Sequence, residues 1–327
     1  MQDYSPFLNL FSKHLEDYSR ALNKAEPKEL YQPGAYILSL GGKRVRPLLA
    51  LIAADLLEQN PQKALPAALA VELFHNFSLI HDDILDNAPK RRNKATVHIK
   101  WSNNIAILSG DILLVKAIQA LQQGNHKLEQ AQLDVFLRTA AEVCEGQQMD
   151  MNFETQKKVT VEDYIHMITL KTAVLLACSL QMGAIAAKAN KSVQQNLYAF
   201  GKHLGIAFQL MDDYLDVYAL KNQAFGKQIG GDILSNKKTF LLLRAFELAD
   251  KKGKQRLNAA LKMNDQPKEK IKIVKSIYSE LKIDQLCITE ADKHTQIALK
   301  SLQNIKADNA KKEVLKNFAL QLLSRTK

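Results

Sequence analysis

The sequence predicts an all-α protein, and three observations carry that expectation. Gly (13) and Pro (8) are sparse among 327 residues. Ala, Leu, Lys and Gln, all good helix formers, are abundant, and no segment alternates apolar and polar residues for long. Nothing resembles a linker, a low-complexity tract or a repeat beyond one pair of carboxylate motifs, so a single domain over 1–327 is expected.

In chain order, Phe7, Leu8, Phe11, Leu15, Tyr18 and Leu22 make one apolar stripe, which predicts an amphipathic helix over 5–24. A second helix over 28–40 should end at Gly41-Gly42, because glycine accepts the positive φ at which a chain commonly leaves a helix. Pro47 suits the first turn of the next helix, where its missing N–H costs nothing. Lys43, Arg44 and Arg46 lie between these signals. Basic side chains at a helix N-terminus suit an anion, although a basic loop on its own is more often a solvated turn.

The apolar run Leu65–Ile80 leads into His81-Asp82-Asp83-Ile84-Leu85-Asp86. On a helix Asp82 and Asp86 share a face, with Asp83 about 100° away. Like charges at this spacing repel, by roughly 0.2–0.5 kcal/mol per pair, and a run so apolar is not a solvated face. A cation is therefore expected. Oxygen donors without His or Cys suit Mg2+, which takes one or two carboxylates together with substrate phosphates. The same spacing returns at Asp212-Asp213-Tyr214-Leu215-Asp216, again after an apolar run. One such turn is usually a solvated face, but two copies with apolar flanks point to a metal site. Arg91 and Arg92 follow the first copy, with guanidinium forks that grip phosphate bidentately, so the combination implies a metal-bridged polyphosphate. His75 and Ser78 precede Asp82 by seven and four residues and lie near its face.

Further on, Ser109-Gly110-Asp111 is read as opening an apolar helix, with a break near Gly124. Gly146-Gln147-Gln148-Met149-Asp150 sits in a helical run. Lys171-Thr172 stands at the start of an Ala/Leu-rich helix and needs a partner for its cation. Phe208-Gln209 directly precedes the second carboxylates. The loop Gly226-Lys227-Gln228-Ile229-Gly230-Gly231-Asp232 is weak evidence for a phosphate site, and Asn236-Lys237-Lys238-Thr239 leads into another helix. Beyond Leu241 the chain reads as helices with Lys-rich connections.

The formal charge of +11 admits nucleic acid, a membrane surface or an anionic substrate. Much of the excess is Lys around 251–254 and 268–275, which resemble solvated helix faces, and no nucleic-acid motif accompanies them. No nucleic-acid partner is expected. Cys144, Cys178 and Cys287 stand far apart, as in a reducing compartment. The N-terminus lacks the form of a signal peptide, and the charge-free run Thr172–Ala187 is shorter than the roughly 20 residues of a spanning helix. A cytoplasmic protein without an integral membrane segment is the expectation.

The motifs GGKRVRP (41–47), HDDILD (81–86) with Arg91-Arg92, GQQMD (146–150), Lys171-Thr172, FQLMDDYLD (208–216) and GKQIGGD (226–232) with NKKT (236–239) come in order at family spacing. In these the chain resembles the trans-isoprenyl diphosphate synthases, the head-to-tail prenyltransferases. The resemblance implies an all-α bundle around a deep central cavity, a homodimer, and three Mg2+ ions per active site. It implies that Asp82, Asp86 and Asp212 hold the metal, with Asp83 and Asp216 beside them and Asp213 in the catalytic set. Arg91, Lys171, Thr172, Gln209, Lys227 and Lys237 would contact an allylic diphosphate, while Lys43, Arg46, His75 and Arg92 would bind isopentenyl diphosphate. Lys171, Thr172 and Gln209 also lie where oxygen atoms would steady a transient carbocation. Asn93 and Asn236 replace glycines common in the pattern, and Asn tolerates the positive φ expected there.

The implied reaction is condensation of isopentenyl diphosphate with an allylic diphosphate, releasing pyrophosphate. Product length should depend on the fifth and fourth positions before Asp82, Phe77 and Ser78, a pattern that resembles geranylgeranyl synthases, with farnesyl as the second choice. Phe77 stands about 140° from Asp82 on an ideal helix, so ordinary core packing is the alternative. A class I terpene cyclase would need no second diphosphate site. A non-catalytic subunit of a heterodimeric synthase would lack part of the aspartate set, and all six aspartates are present here.

Overall fold

The structure is a computed structural model and describes residues 4–122, 126–219 and 230–324. These residues are helical almost throughout, in the order α1 (Ser5–Lys24), α2 (Lys28–Ser39), α3 (Val45–Leu56), α4 (Leu65–Leu85), α5 (Val97–Lys100), α6 (Asn103–Leu121), α7 (His126–Thr155), α8 (Val161–Ile168), α9 (Val174–Ala186), α10 (Lys191–Tyr218), α11 (Gly231–Leu234), α12 (Phe240–Leu248), α13 (Lys251–Leu261), α14 (Pro267–Glu280), α15 (Ile283–Gln303) and α16 (Asn309–Leu323). The all-α expectation holds. The sequence reading missed one small hairpin, β1 (Lys90–Arg91) against β2 (Lys94–Ala95), paired Lys90 with Ala95 and Arg91 with Lys94. Its two turn residues, Arg92 and Asn93, have φ of 52° and 62°, as a two-residue type I′ turn requires. Asn236 also has positive φ, 56°, so both asparagines that replace glycine take the expected conformation.

By compactness the chain divides into two units. The first comprises Met1–Ala140, Leu175–Tyr198 and Asn304–Phe318. Its core runs through α3 and α4, where Leu48–Ala54 and Ala67–Phe74 are almost continuously buried. Such helices, apolar all round, belong in an interior. The main neighbour of α4 is α6, and a Cβ at Gly110 of α6 would collide with the His81 imidazole. α6 begins at Asn103, capped by the Ser102 hydroxyl, not at Ser109 as expected. Gly41 and Gly42 leave α2 with φ of 82° and 131°. α3 starts at Val45, which makes Pro47 its third residue, still within the turn whose N–H groups have no helical acceptor.

The second unit comprises Ala141–Val174, Ala199–Gln303 and Ala319–Lys327. Phe153, Tyr164, Leu210, Phe240, Leu241, Val274, Ile277 and Tyr278 lie in its core. Between α8 and α9 the chain makes a π-turn over Thr169–Ala173, a form that inserts one extra residue into helical winding. Two glycines admit it: a Cβ at Gly146 on α7 would strike the backbone N of Lys171, and one at Gly205 on α10 would strike the Cα of Ala173.

Not every lysine of the C-terminal third is solvated. Lys270 is 1% exposed, and its ammonium donates to Leu234 O (3.1 Å) and Leu261 O (3.4 Å), carbonyls at the ends of α11 and α13. Lys275 donates to Val217 O near the end of α10 (2.9 Å), and Lys238 donates to Phe153 O and to Gln156 O (2.6 Å) at the end of α7. Each cation satisfies helix-end carbonyls and opposes the negative end of a helix dipole. α10 and α15 meet at His203 and His294, whose Nδ1 atoms lie 2.8 Å apart.

By length and composition, the helical stretches Asn103–Leu121 and Val161–Ala186 are apolar enough to cross a membrane. The second exceeds the run expected to be too short, but 72% of its apolar window is buried, as in a core helix.

Candidate functional site

In the first unit the structure brings the expected cations together. Arg44, in left-handed conformation (φ 50°), turns inward to Glu72 and donates to Leu38 O at 2.6 Å. The carboxamide of Asn76 donates to the same Glu72 carboxylate (3.1 Å). Arg44 is thus a buried brace that sets the loop. Lys43 is exposed beside it, and Arg46, on the first turn of α3, reaches His75 on α4, Nη1 to Nε2 at 3.2 Å. A guanidinium only donates, so Nε2 accepts and Nδ1 carries the imidazole proton. Burial and the charges of Arg46, Arg92, Arg91 and Arg44 hold His75 well below the usual imidazole range, hence neutral.

The hairpin turn delivers Arg92 to the same loop, where its guanidinium donates to Gly41 O. A Cβ at Gly42 would lie 2.7 Å from Arg92 Nη2, so the glycine makes room for the guanidinium as well as for the turn. Burial and neighbouring Arg44 lower the pKa of Arg92, the mark of positive charges held close together. An anion is the natural complement of such a cluster.

At the end of α4 the three aspartates part company. Asp83 is 2% exposed and held by Arg91, with Nε at 3.0 and 2.9 Å from its two oxygens and Nη2 at 2.8 Å from Oδ1. Asp82 is half-buried and Asp86 exposed. Ser78, half-buried, donates to His75 O at 2.9 Å, while Phe77 packs against Phe74 and His81 with centroids 5.5 and 4.7 Å away.

The second unit repeats the division on α10. Asp213 is 4% exposed, accepting from the Tyr164 hydroxyl and from Gln209 Nε2 (3.0 Å). Burial and the charge of Asp232 push it up to about 7, against the opposing hydrogen bonds of Tyr164 and Gln209 and the charge of Lys237. Asp212 and Asp216 are half-buried, and one Asp216 oxygen accepts from Asp232 N at 3.0 Å. Gln209 accepts in turn from the Thr172 hydroxyl (3.1 Å). Lys171, beside it on the π-turn, pairs with Asp150 at 2.6 Å, which supplies the partner its cation requires. Lys237 lies just beyond α11, with its N–H on Asp232 O (2.9 Å). Lys227 falls outside the described residues.

Sequence reasoning missed Arg44–Glu72, Asp150 as the partner of Lys171, and Tyr164. Asp150 was visible as the end of GQQMD, but Tyr164 leaves no local signal, because its role rests on a residue 49 positions away.

The donor chemistry fits Mg2+. Asp82, Asp86, Asp212 and Asp216 offer hard oxygens, and among the described residues no three acidic, imidazole or thiol groups converge to hold an ion unaided. Mg2+ commonly completes its octahedron with water and substrate phosphate.

Comparison with known proteins agrees. A family model described as polyprenyl synthetase matches residues 27–281. A geranylgeranyl diphosphate synthase of Methanosarcina mazei is 43% identical over 223 residues, 68% of each chain. That of Saccharolobus solfataricus is 35% identical over 330 residues, 99% of each. A crystal structure of a geranylgeranyl pyrophosphate synthase superposes with a TM-score of 0.94 at 41% identity, covering 100% of both chains.

Proposed function

Because the chain belongs to the polyprenyl synthetase family, and is therefore a prenyltransferase, we propose that it condenses isopentenyl diphosphate with an allylic diphosphate to give geranylgeranyl diphosphate and pyrophosphate. Farnesyl diphosphate is the second candidate product. The family match crosses both compact units, which supports one functional domain over the chain.

The observation that carries this reading is the cationic cluster of the first unit. Lys43, Arg46 and Arg92 beside neutral His75 make a cationic cluster suited to one diphosphate, while Lys171 and Lys237 would serve the allylic diphosphate. Two substrates need two such sites, and a terpene cyclase needs one. The experiment offers an allylic diphosphate with and without isopentenyl diphosphate. Chain elongation that depends on the second substrate is expected, and a cyclic hydrocarbon made without it would refute the proposal.

Asp82, Asp86, Asp212 and Asp216 would hold Mg2+, three ions per site. Bound there, Mg2+ neutralises negative charge on the departing diphosphate and so eases ionisation of the allylic C–O bond. Lys171, Arg91, Lys227 and Lys237 orient that diphosphate. Thr172 and Gln209 would present oxygen atoms that steady the transient carbocation. The double bond of isopentenyl diphosphate then attacks, and the departing pyrophosphate takes the final proton.

A homodimer completes the reading. α6 exposes Ile107 (43%), Leu108 (58%) and Val115 (45%), an apolar face suited to a second copy. Light scattering of the wild type and of Leu108→Asp tests it, with a shift from dimer to monomer expected. Three cysteines, widely separated in the sequence and in no disulfide, suit the cytoplasm.

A further inference from the structure

We propose that Tyr164 is a positioning residue: through the buried Asp213 it locks the π-turn that carries Lys171 and Thr172 to the helix that carries Asp212 and Asp216. The inference rests on the reading of Asp212 and Asp216 as ligands of the metal–diphosphate.

Two ties join these segments. The Tyr164 hydroxyl donates to Asp213 Oδ2, and Thr172 Oγ1 donates to Gln209, which donates to Asp213 Oδ1 at 3.0 Å. Both end on one carboxylate, which cannot move without breaking both. Tyr164 itself has little freedom. It lies on an eight-residue helix started by a full capping box between Thr160 and Asp163, and it is 1% exposed. The π-turn begins five residues later, so the hydroxyl anchors α8 at the place where winding changes.

The alternative is that Tyr164 only fills the core. Asp213 argues against that, since a buried carboxylate is costly and an apolar residue would pack the position better. Its neighbours on the helix, Asp212 and Asp216, remain half-exposed while it alone turns inward. A helix bearing carboxylates on its open face gains fixed rotation from one carboxylate gripped from behind.

Tyr164→Phe keeps the ring and removes the hydroxyl. Calorimetric titration with inorganic pyrophosphate in saturating Mg2+ should show affinity lowered by about tenfold, the scale of one charge-assisted hydrogen bond. Turnover should fall by a similar factor, with KM for isopentenyl diphosphate within about twofold of wild type. Leu257→Ala, a core truncation in α13 of the same unit, gives the comparison for general destabilisation and should leave pyrophosphate affinity unchanged. Unchanged pyrophosphate affinity in Tyr164→Phe overturns the inference. So does a loss that Leu257→Ala reproduces, or a Tyr164→Phe chain that does not fold, either of which makes Tyr164 a core residue. Wild-type protein that fails to bind pyrophosphate with Mg2+ overturns the ligand reading and this inference with it.

Discussion

Arg91 lies eight residues beyond Asp83, across the turn that leaves α4, and its guanidinium fork closes on both oxygens of that carboxylate. The middle aspartate of the first motif is therefore a fastening, whereas Asp82 and Asp86 stay at the surface of the helix end. Replacing Asp83 by Ala should leave the partly exposed guanidinium without its carboxylate and destabilise the fold by about 1.5–3 kcal/mol, seen as a lower urea midpoint.

Asp82→Ala and Asp212→Ala should behave in the opposite way. Each removes charge neutralisation from the reaction, so kcat should fall by roughly 10³-fold or more. The melting temperature of the metal-free protein should hold or rise slightly, because crowded carboxylates are relieved. Near-normal turnover at saturating Mg2+ would count against the ligand assignment.

For Lys43→Ala and Arg46→Ala the expectation is a KM for isopentenyl diphosphate raised by about ten- to hundredfold, the worth of a charge-assisted hydrogen bond. The allylic KM should move little. Equal weakening of both substrates would mean that one anion site serves both.

Phe77→Ala should lengthen the main product by one or more five-carbon units, read by chromatography. The ring is 9% exposed and leans on Phe74, itself edge-on to Phe136. A folded, active variant with an unchanged product would place the limit elsewhere, for instance at Phe74.

The His203–His294 contact predicts a pH effect on stability. Burial, the facing His294 and nearby Lys202 depress His203 to about 4, and burial also lowers His294 against the pull of Glu290. The unfolded chain, with imidazoles near 6.5, binds more protons between these values. The contribution of this pair to stability is therefore intact above about 6.5 and is lost as pH falls towards 4. Asp213, raised to about 7, titrates with the opposite sign in the same window. The informative quantity is the difference in melting temperature between wild type and His203→Gln, which should narrow from pH 7 to pH 4.5. A constant difference would refute the claim.

Helix positions and the principal cations were readable because they obey local rules. Apolar spacing gave α1 within its observed bounds, and glycine marked the exit from α2. Residues whose roles depend on distant partners were not readable. Asp83 and Asp213 look like their neighbours in the motif, and only tertiary packing turns them inward to Arg91 and Tyr164. Lys270 likewise looks like one more surface lysine until α11 and α13 supply the carbonyls it reaches. Ser109-Gly110 misled for a related reason: its glycine meets His81 in mid-helix and marks no helix start.

The π-turn explains why Val161–Ala186 looks long enough to span a bilayer. An extra residue shifts the phase of the winding by about 100°, so the apolar faces of α8 and α9 do not continue one another along the sequence. Two core helices of 8 and 13 residues thus merge into one unbroken greasy stretch in any window average. The turn also constrains trimming. Deleting one residue from 169–173 would restore α-helical winding and leave α9 in phase, but it would remove the widened turn on which Lys171 and Thr172 stand, against the surfaces that Gly146 and Gly205 leave open.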